Sequence, residues 1–277
     1  MAELERRFPL VATADMHIGS PTDQHFTLGE WEALFAEMGR KGNVITIAGD
    51  LTQDGKMNEA DAVARMFEQA QVPVLVTLGN HDRRSTNIRK FKAKITEPHN
   101  VYLLDDTQYY LYKEGPPEEE AVHGFIGMLG VGGGFGHSTV ARGQGYDNTV
   151  YLSHMEPHAR ALGHRIHHSP AAKNTLILHY PPFPSHRVYE QGYNPPPLED
   201  ITDQYGDKVE RILHGHFHDD KAAHETVGGK EVRNVSKDNL MAAQPDNAPF
   251  VVIFSRLSGY ERFAYQQPSL VYDRVTA

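Results

Sequence analysis

The sequence contains no cysteine. That excludes a disulfide scaffold, a thiolate-ligated zinc or iron–sulfur centre and a cysteine nucleophile. Positive charge is also in deficit: 27 Lys and Arg against 36 Asp and Glu give a formal net charge of -9 over 277 residues. Such a chain is ill suited to coating nucleic acid, and an acidic enzyme is the better starting point. No apolar run approaches the roughly 18 residues that span a bilayer. The opening MAELERRFPLVATADMH lacks the basic-then-apolar layout of a signal peptide. The expectation is a cytoplasmic protein with no membrane partner.

What the chain does have is 17 histidines and a length ample for a sizeable core. Short apolar, β-branched runs recur at Phe8–Thr13, Val44–Ala48, Val72–Leu78, Asn174–His179, Val209–Leu213 and Phe250–Phe254. Their lengths suit buried strands. Between the first two, Leu28, Trp31, Leu34, Phe35 and Met38 share one helical face. Between the second and third, Val63, Met66, Phe67 and Ala70 do the same. This alternation predicts parallel βαβ units with right-handed crossovers. Residues 101–131 and the tail after Lys230 add further strand-like pieces. The expected fold is therefore α/β, a four-layer α/β/β/α sandwich with two mixed β-sheets. No repeat or long linker divides the chain, so 1–277 reads as a single domain. The Pro-rich segment 181–200 reads as a substrate-side loop.

Several predicted strands end in polar residues that make little sense as packing. These are Asp15-Met16-His17, Gly49-Asp50, Gly79-Asn80-His81-Asp82, His179 and His214-Gly215-His216-Phe217-His218. In parallel sheets the carboxyl ends of strands line the ligand crevice, so five such ends would gather Asp, Asn and His in one place. An Asp and a His two residues apart in extended backbone point the same way. Asp15 and His17 can thus share one ion, His216 and His218 can divide between two, and Asp50 has two oxygens with which to bridge. Imidazole and oxygen ligands without thiolate suit manganese, iron, zinc or cobalt rather than calcium.

In this order the five blocks resemble calcineurin-like metallophosphoesterases, whose signature runs D-x-H, GD, GNH[DE], an isolated His and GHxH. GDLTQDG at 49–55 and His179-Tyr180-Pro181-Pro182 resemble the class III cyclic-nucleotide phosphodiesterase-like branch, in which His-His-Pro-Pro is usual. The resemblance implies one metal on Asp15, His17, Asp50 and His218, and a second on Asp50, Asn80, His179 and His216. It implies that His81 contacts the phosphate or assists the leaving group, with Asp82 orienting it. The cofactors implied are two divalent ions, manganese favoured. The reaction implied is hydrolysis of a phosphodiester bond in a small phosphate ester by a metal-bridging hydroxide. A phosphomonoesterase or a nuclease of the same superfamily is the alternative, and a non-catalytic metal-binding scaffold comes last. Two divalent ions less the two carboxylates leave about +2, which attracts an anionic phosphate.

Other features read more plainly. Asp54 reads as a turn former before Gly55, and His214 as a core or supporting histidine. His154, His158, His164, His167 and His168 read as a solvated helix face without carboxylate partners at matching spacing. Gly132–Gly136 lacks the Lys and Ser/Thr of a nucleotide-binding loop. Arg83, Arg84, Arg89, Lys90, Lys92 and Lys94 form a basic cluster that reads as a solvated face, with anion steering as the functional alternative.

Overall fold

The computed structural model describes residues 6–21, 26–105, 107–113, 121–128, 159–182, 206–218, 224–227, 229–244, 246–257 and 263–266. The expected segments 132–136 and 183–200, with His154 and His158, lie outside them.

Two sheets carry the chain. In the first, β1 (Arg6–Thr13), β2 (Val44–Ala48), β3 (Val74–Thr77) and β4 (Val101–Leu103) run parallel. The late strand β11 (Val251–Leu257) joins β1 antiparallel. The second sheet is seven-stranded and mixed, in the order β12-β5-β6-β7-β8-β10-β9. Its centre is a parallel set of β6 (Ala121–Met128), β7 (Asn174–Leu178), β8 (Val209–His214) and β10 (Lys230–Asn234). Its edges, β5 (Gln108–Lys113) with β12 (Phe263–Gln266) and β9 (His224–Val227), are antiparallel.

Strand alternation sorts the core into layers. Along β1 and β2, Leu10, Ala12, Val44 and Ala48 face the space between the sheets, where they meet Tyr109, Phe125, Ile177 and Leu213. Their neighbours Val11, Ile45 and Ile47 face the other way, onto Trp31, Phe35, Val63 and Phe67. Those residues come from α1 (Leu28–Lys41) and α2 (Met57–Glu68), with α3 (Ile88–Ile95) adding Phe91 and Ile95. Helix α1 starts where the sequence allows, because Thr27 and Glu30 form a reciprocal capping box. On the outer face of the second sheet, Leu176, Leu178 and Ile212 pack against Ala159, Leu162 and Ile166 of α4, residues 159–168. The result is helix, sheet, sheet, helix, as the sequence pattern predicts. A short α5 (Lys237–Ala243) follows β10.

Both parallel sets end at one edge of the molecule, and the backbone stitches those ends together. Lys237 N donates to Ala14 O at 3.0 Å across the two sheets, and Gly215 N to His179 O at 3.0 Å. No helix among the described residues is long and apolar enough to cross a membrane.

Candidate metal centre

Beyond β1 the chain keeps company with the end of β2: the amides of Asp15 and His17 donate to the carbonyls of Gly49 and Asp50 at 3.0 and 3.1 Å. Asp15, His17, Asp50 and His216 all adopt positive φ, between 48° and 73°. That region is costly for residues with a Cβ, and such strain collects at functional sites. Two motif glycines make room for the ligands. Gly49 has φ of 89°, and a methyl there would strike the His179 ring; one on Gly79 would strike Asp50 Oδ1. These glycines are fixed by the approach of the next block's side chain.

All seven residues expected to bind metal converge. Asp15, His17 and His218 form one group of ligand atoms, all within 4.8 Å of one another, and Asp50, His179 and His216 form another. Between the groups, His17 Nε2 lies 3.8 Å from Asp50 Oδ2; within the second, His179 Nε2 lies 3.4 Å from the same oxygen. Asn80 joins the second group through Oδ1, 2.9 Å from His179 Nε2. Asp15, His17, Asp50 and His179 form the buried floor, while Asn80, His81, His216 and His218 face outward. His81 stands beside the cluster, its ring centroid 4.5 Å from that of His17.

Behind the ligands, hydrogen bonds set ring orientation. His179 Nδ1 donates to Ala48 O at 3.0 Å, and His218 Nδ1 to Asp238 Oδ2 at 2.8 Å, which leaves each Nε2 turned towards the cluster. His81 Nδ1 donates to the Gln53 carbonyl at 2.7 Å, while Arg84 donates to its Nε2 at 3.1 Å. The expected orienting role of Asp82 takes another form. Its carboxylate accepts from Leu51 N, Thr52 N, Thr52 Oγ1 and Gly79 N, lashing the GD loop to the GNHD loop, and Gln53 holds the imidazole. Asp54, read from sequence as a turn former, pairs with Lys56 at 2.5 Å and faces Arg84 at 3.9 Å. Tyr180 lies with its ring 4.5 Å from that of His216. His214 is buried at the end of β8, its Nδ1 donating to Gly215 O at 3.1 Å.

The electrostatics of the metal-free cluster follow from burial and neighbours. Burial pushes His17 down to about 3 and His216 down to about 2, the neutral state that ligation requires. Burial likewise pushes Asp15 up to about 6. Asp50 and His179 form an ion pair that overcomes burial: Asp50 is held below the usual carboxylate range, and His179 rises to about 9. Burial and the nearby Asp50 charge push Asp82 up to about 7 despite its four donors.

The basic cluster is not one patch. Lys92 pairs with Asp105 at 2.5 Å, Lys94 with Asp61 and Glu97, and Arg84 turns inward to His81. His164, His167 and His168 are exposed on α4.

Asp15 Oδ1 is buried without a hydrogen-bond donor, 3.9 Å from His218 Nε2. A buried carboxylate oxygen left this way is expensive, and a cation facing it removes the cost. The residues present thus fit a divalent ion on an all-nitrogen and oxygen donor set. A family model described as calcineurin-like phosphoesterase matches residues 8–220. The chain belongs to the calcineurin-like phosphoesterase family. That family uses dinuclear divalent metal centres, and its members are metal-dependent phosphoester hydrolases. No curated protein matches this calcineurin-like phosphoesterase. Among solved structures it is similar in fold to a phosphopantetheinyl hydrolase from Mycobacterium tuberculosis, at a TM-score of 0.57 and 11% identity, covering 89% of this chain and 96% of that one. It is similar also to a dimetal phosphatase from Danio rerio, at 0.53 and 13%, covering 95% and 99%.

Proposed function

We propose that this calcineurin-like phosphoesterase hydrolyses phosphodiesters of small molecules, with two divalent ions, manganese favoured, held by the seven converging residues. The observation that carries the reading is the place of the Gly49–Gly55 loop. This loop bears the resemblance to the cyclic-nucleotide phosphodiesterase branch, and its backbone forms a wall of the cluster. Asp50 O receives His17 N, Leu51 O receives Ile18 N, and Gln53 O receives His81 Nδ1.

Bound ions of this kind polarise phosphate oxygens and lower the pKa of water to roughly 7, supplying a nucleophile. The chain's own residues do the rest. Asp15 and Asp50 offset part of the cationic charge, leaving the site positive towards an anionic ester. His81, at the open edge, contacts the phosphate or, once its Nε2 carries a proton in place of the Arg84 hydrogen bond, supplies that proton to the departing alkoxide. Gln53 fixes its ring so that Nε2 faces outward beside Arg84.

The test compares a chromogenic phosphodiester with the matching monoester on metal-stripped protein reconstituted with manganese. The expected result is a higher kcat/KM on the diester. Preference for the monoester would move the protein to the phosphatase reading. Silence on both, with two ions bound, would favour the scaffold reading.

A further inference from the structure

The matched family region stops at residue 220, yet the cluster is braced by residues beyond it. From the end of β10 into α5 the chain reads Asn234-Val235-Ser236-Lys237-Asp238-Asn239, and it lies against the loop that carries His216 and His218. The Phe217 carbonyl accepts from Asn234 Nδ2 at 2.8 Å, from Ser236 Oγ at 3.0 Å and from Asn239 Nδ2. Ser236 pairs with Ala14 as an isolated parallel bridge, which fixes the segment to the end of β1 as well. Asp238 is thereby aimed at His218, its Oδ2 2.8 Å from Nδ1. Its other oxygen, Oδ1, lies 3.2 Å from Nζ of Lys237, whose side chain is 1% exposed. The carboxylate is held at both oxygens and has little freedom to leave the ring.

We propose that Asp238 is a positioning residue for one metal site: it holds His218 with Nε2 towards Asp15 and His17, and raises the basicity of that nitrogen. The inference rests on the metal-centre reading above. The other site is built differently, because the hydrogen bond of His179 Nδ1 goes to the neutral carbonyl of Ala48 at 3.0 Å, while Asp15 Oδ1 stands off at 3.8 Å. A carboxylate behind a ligating imidazole orients it and strengthens its donor atom. Loss of Asp238 should therefore weaken one ion and spare the other.

The experiment titrates chelator-stripped wild type, Asp238→Ala, Asp238→Asn, His218→Ala and the His218→Ala/Asp238→Ala double variant with manganese in a calorimeter. Thermal melting of each metal-free protein runs alongside. Two ions should bind wild type. In Asp238→Ala one step should weaken by about 10–100-fold while the other stays in place. Asp238→Asn should fall between, since its amide oxygen still accepts from Nδ1 but carries no charge. In the His218→Ala background, adding Asp238→Ala should cost nothing more, because the effect passes through that ring. Unchanged affinities in Asp238→Ala would overturn the proposal, as would equal weakening of both steps with a lowered melting temperature in both single Asp238 variants. Failure of wild type itself to take up two ions would instead overturn the metal-centre reading, and the proposal with it.

Discussion

The backbone amide of His81 donates to Oδ1 of Asp50 at 2.8 Å, so the GNHD block holds the carboxylate of the GD block. The other oxygen, Oδ2, is left facing His17 and His179, which belong to different ligand groups. Asp50 is thus placed to be shared. Asp50→Asn keeps an acceptor for the His81 amide and tolerates the positive φ, but removes the charge. Uptake of both ions should suffer, by at least about 100-fold for the weaker one, judged against the effect of supporting residues alone. Metal analysis after dialysis measures it, and retention of two ions would show that Asp50 is not shared.

Gly79 and Asp50 form a second interlock. A methyl group at position 79 meets both Asp50 Oδ1 and the Asp50 backbone nitrogen. The backbone cannot yield cheaply, so Gly79→Ala should destabilise the fold by about 1–3 kcal/mol as an overpacked core does. It should also displace Asp50 and reduce metal uptake. Denaturant melts of the metal-free variant test the first effect, and a wild-type midpoint would mean that the loop accommodates the methyl.

Much of this was legible because ligands at strand ends leave short motifs. Asp15, Asp50 and Asn80 each follow an apolar run that closes a strand, and the layers follow from the alternation of such runs with the helical faces of Leu28–Met38 and Val63–Ala70. Gln53 was not legible, since it acts through a backbone carbonyl that every residue possesses. The family resemblance implies that Asp82 orients the neighbouring His81, whereas its carboxylate reaches back about 30 residues to Leu51 and Thr52. Asp238 was invisible for a related reason: its partner is 20 positions away in sequence, and the intervening hairpin places it without any fixed spacing. The polar signal that points to it is the dense run Asn234, Ser236, Lys237, Asp238 and Asn239, of which all but Asp238 are buried.

His81 carries the prediction that separates chemistry from ligation. With His17 and Asp50 it forms a third group of ligand atoms within 4.8 Å of one another, yet its Nε2 is engaged by Arg84. With the assignment above, His81→Ala should lower kcat by about 10²–10⁴ while leaving two ions bound. Loss of one ion in step with activity would make His81 a ligand. Rescue by added imidazole would support the proton-transfer role directly.

Far from the cluster, His123 on β6 gives a pH prediction. It is 1% exposed, with Nε2 2.9 Å from Thr175 Oγ1, and burial with the nearby Arg211 charge pushes it down to about 3. In the unfolded chain the same imidazole titrates near 6.5. Between those values the unfolded state holds a proton that the folded state refuses, so stability falls as pH falls from 6.5 towards 3. One such group contributes a slope of up to about 1.4 kcal/mol per pH unit, and nothing further above 6.5. His17 and His216 act in the same direction, whereas Asp15 and Asp82, pushed up to about 6 and about 7 in the fold, act in the opposite one, so the total slope is not diagnostic. The difference between wild type and His123→Gln is, because His123 lies apart from that cluster and such effects add. Urea unfolding of the metal-free proteins at pH 7, 6, 5 and 4 should show a shallower acid decline for His123→Gln, whose amide can still bond Thr175. Parallel declines would mean that His123 takes up its proton in the folded state, with Glu210 Oε2 at 3.7 Å from Nδ1 as the partner that makes this affordable.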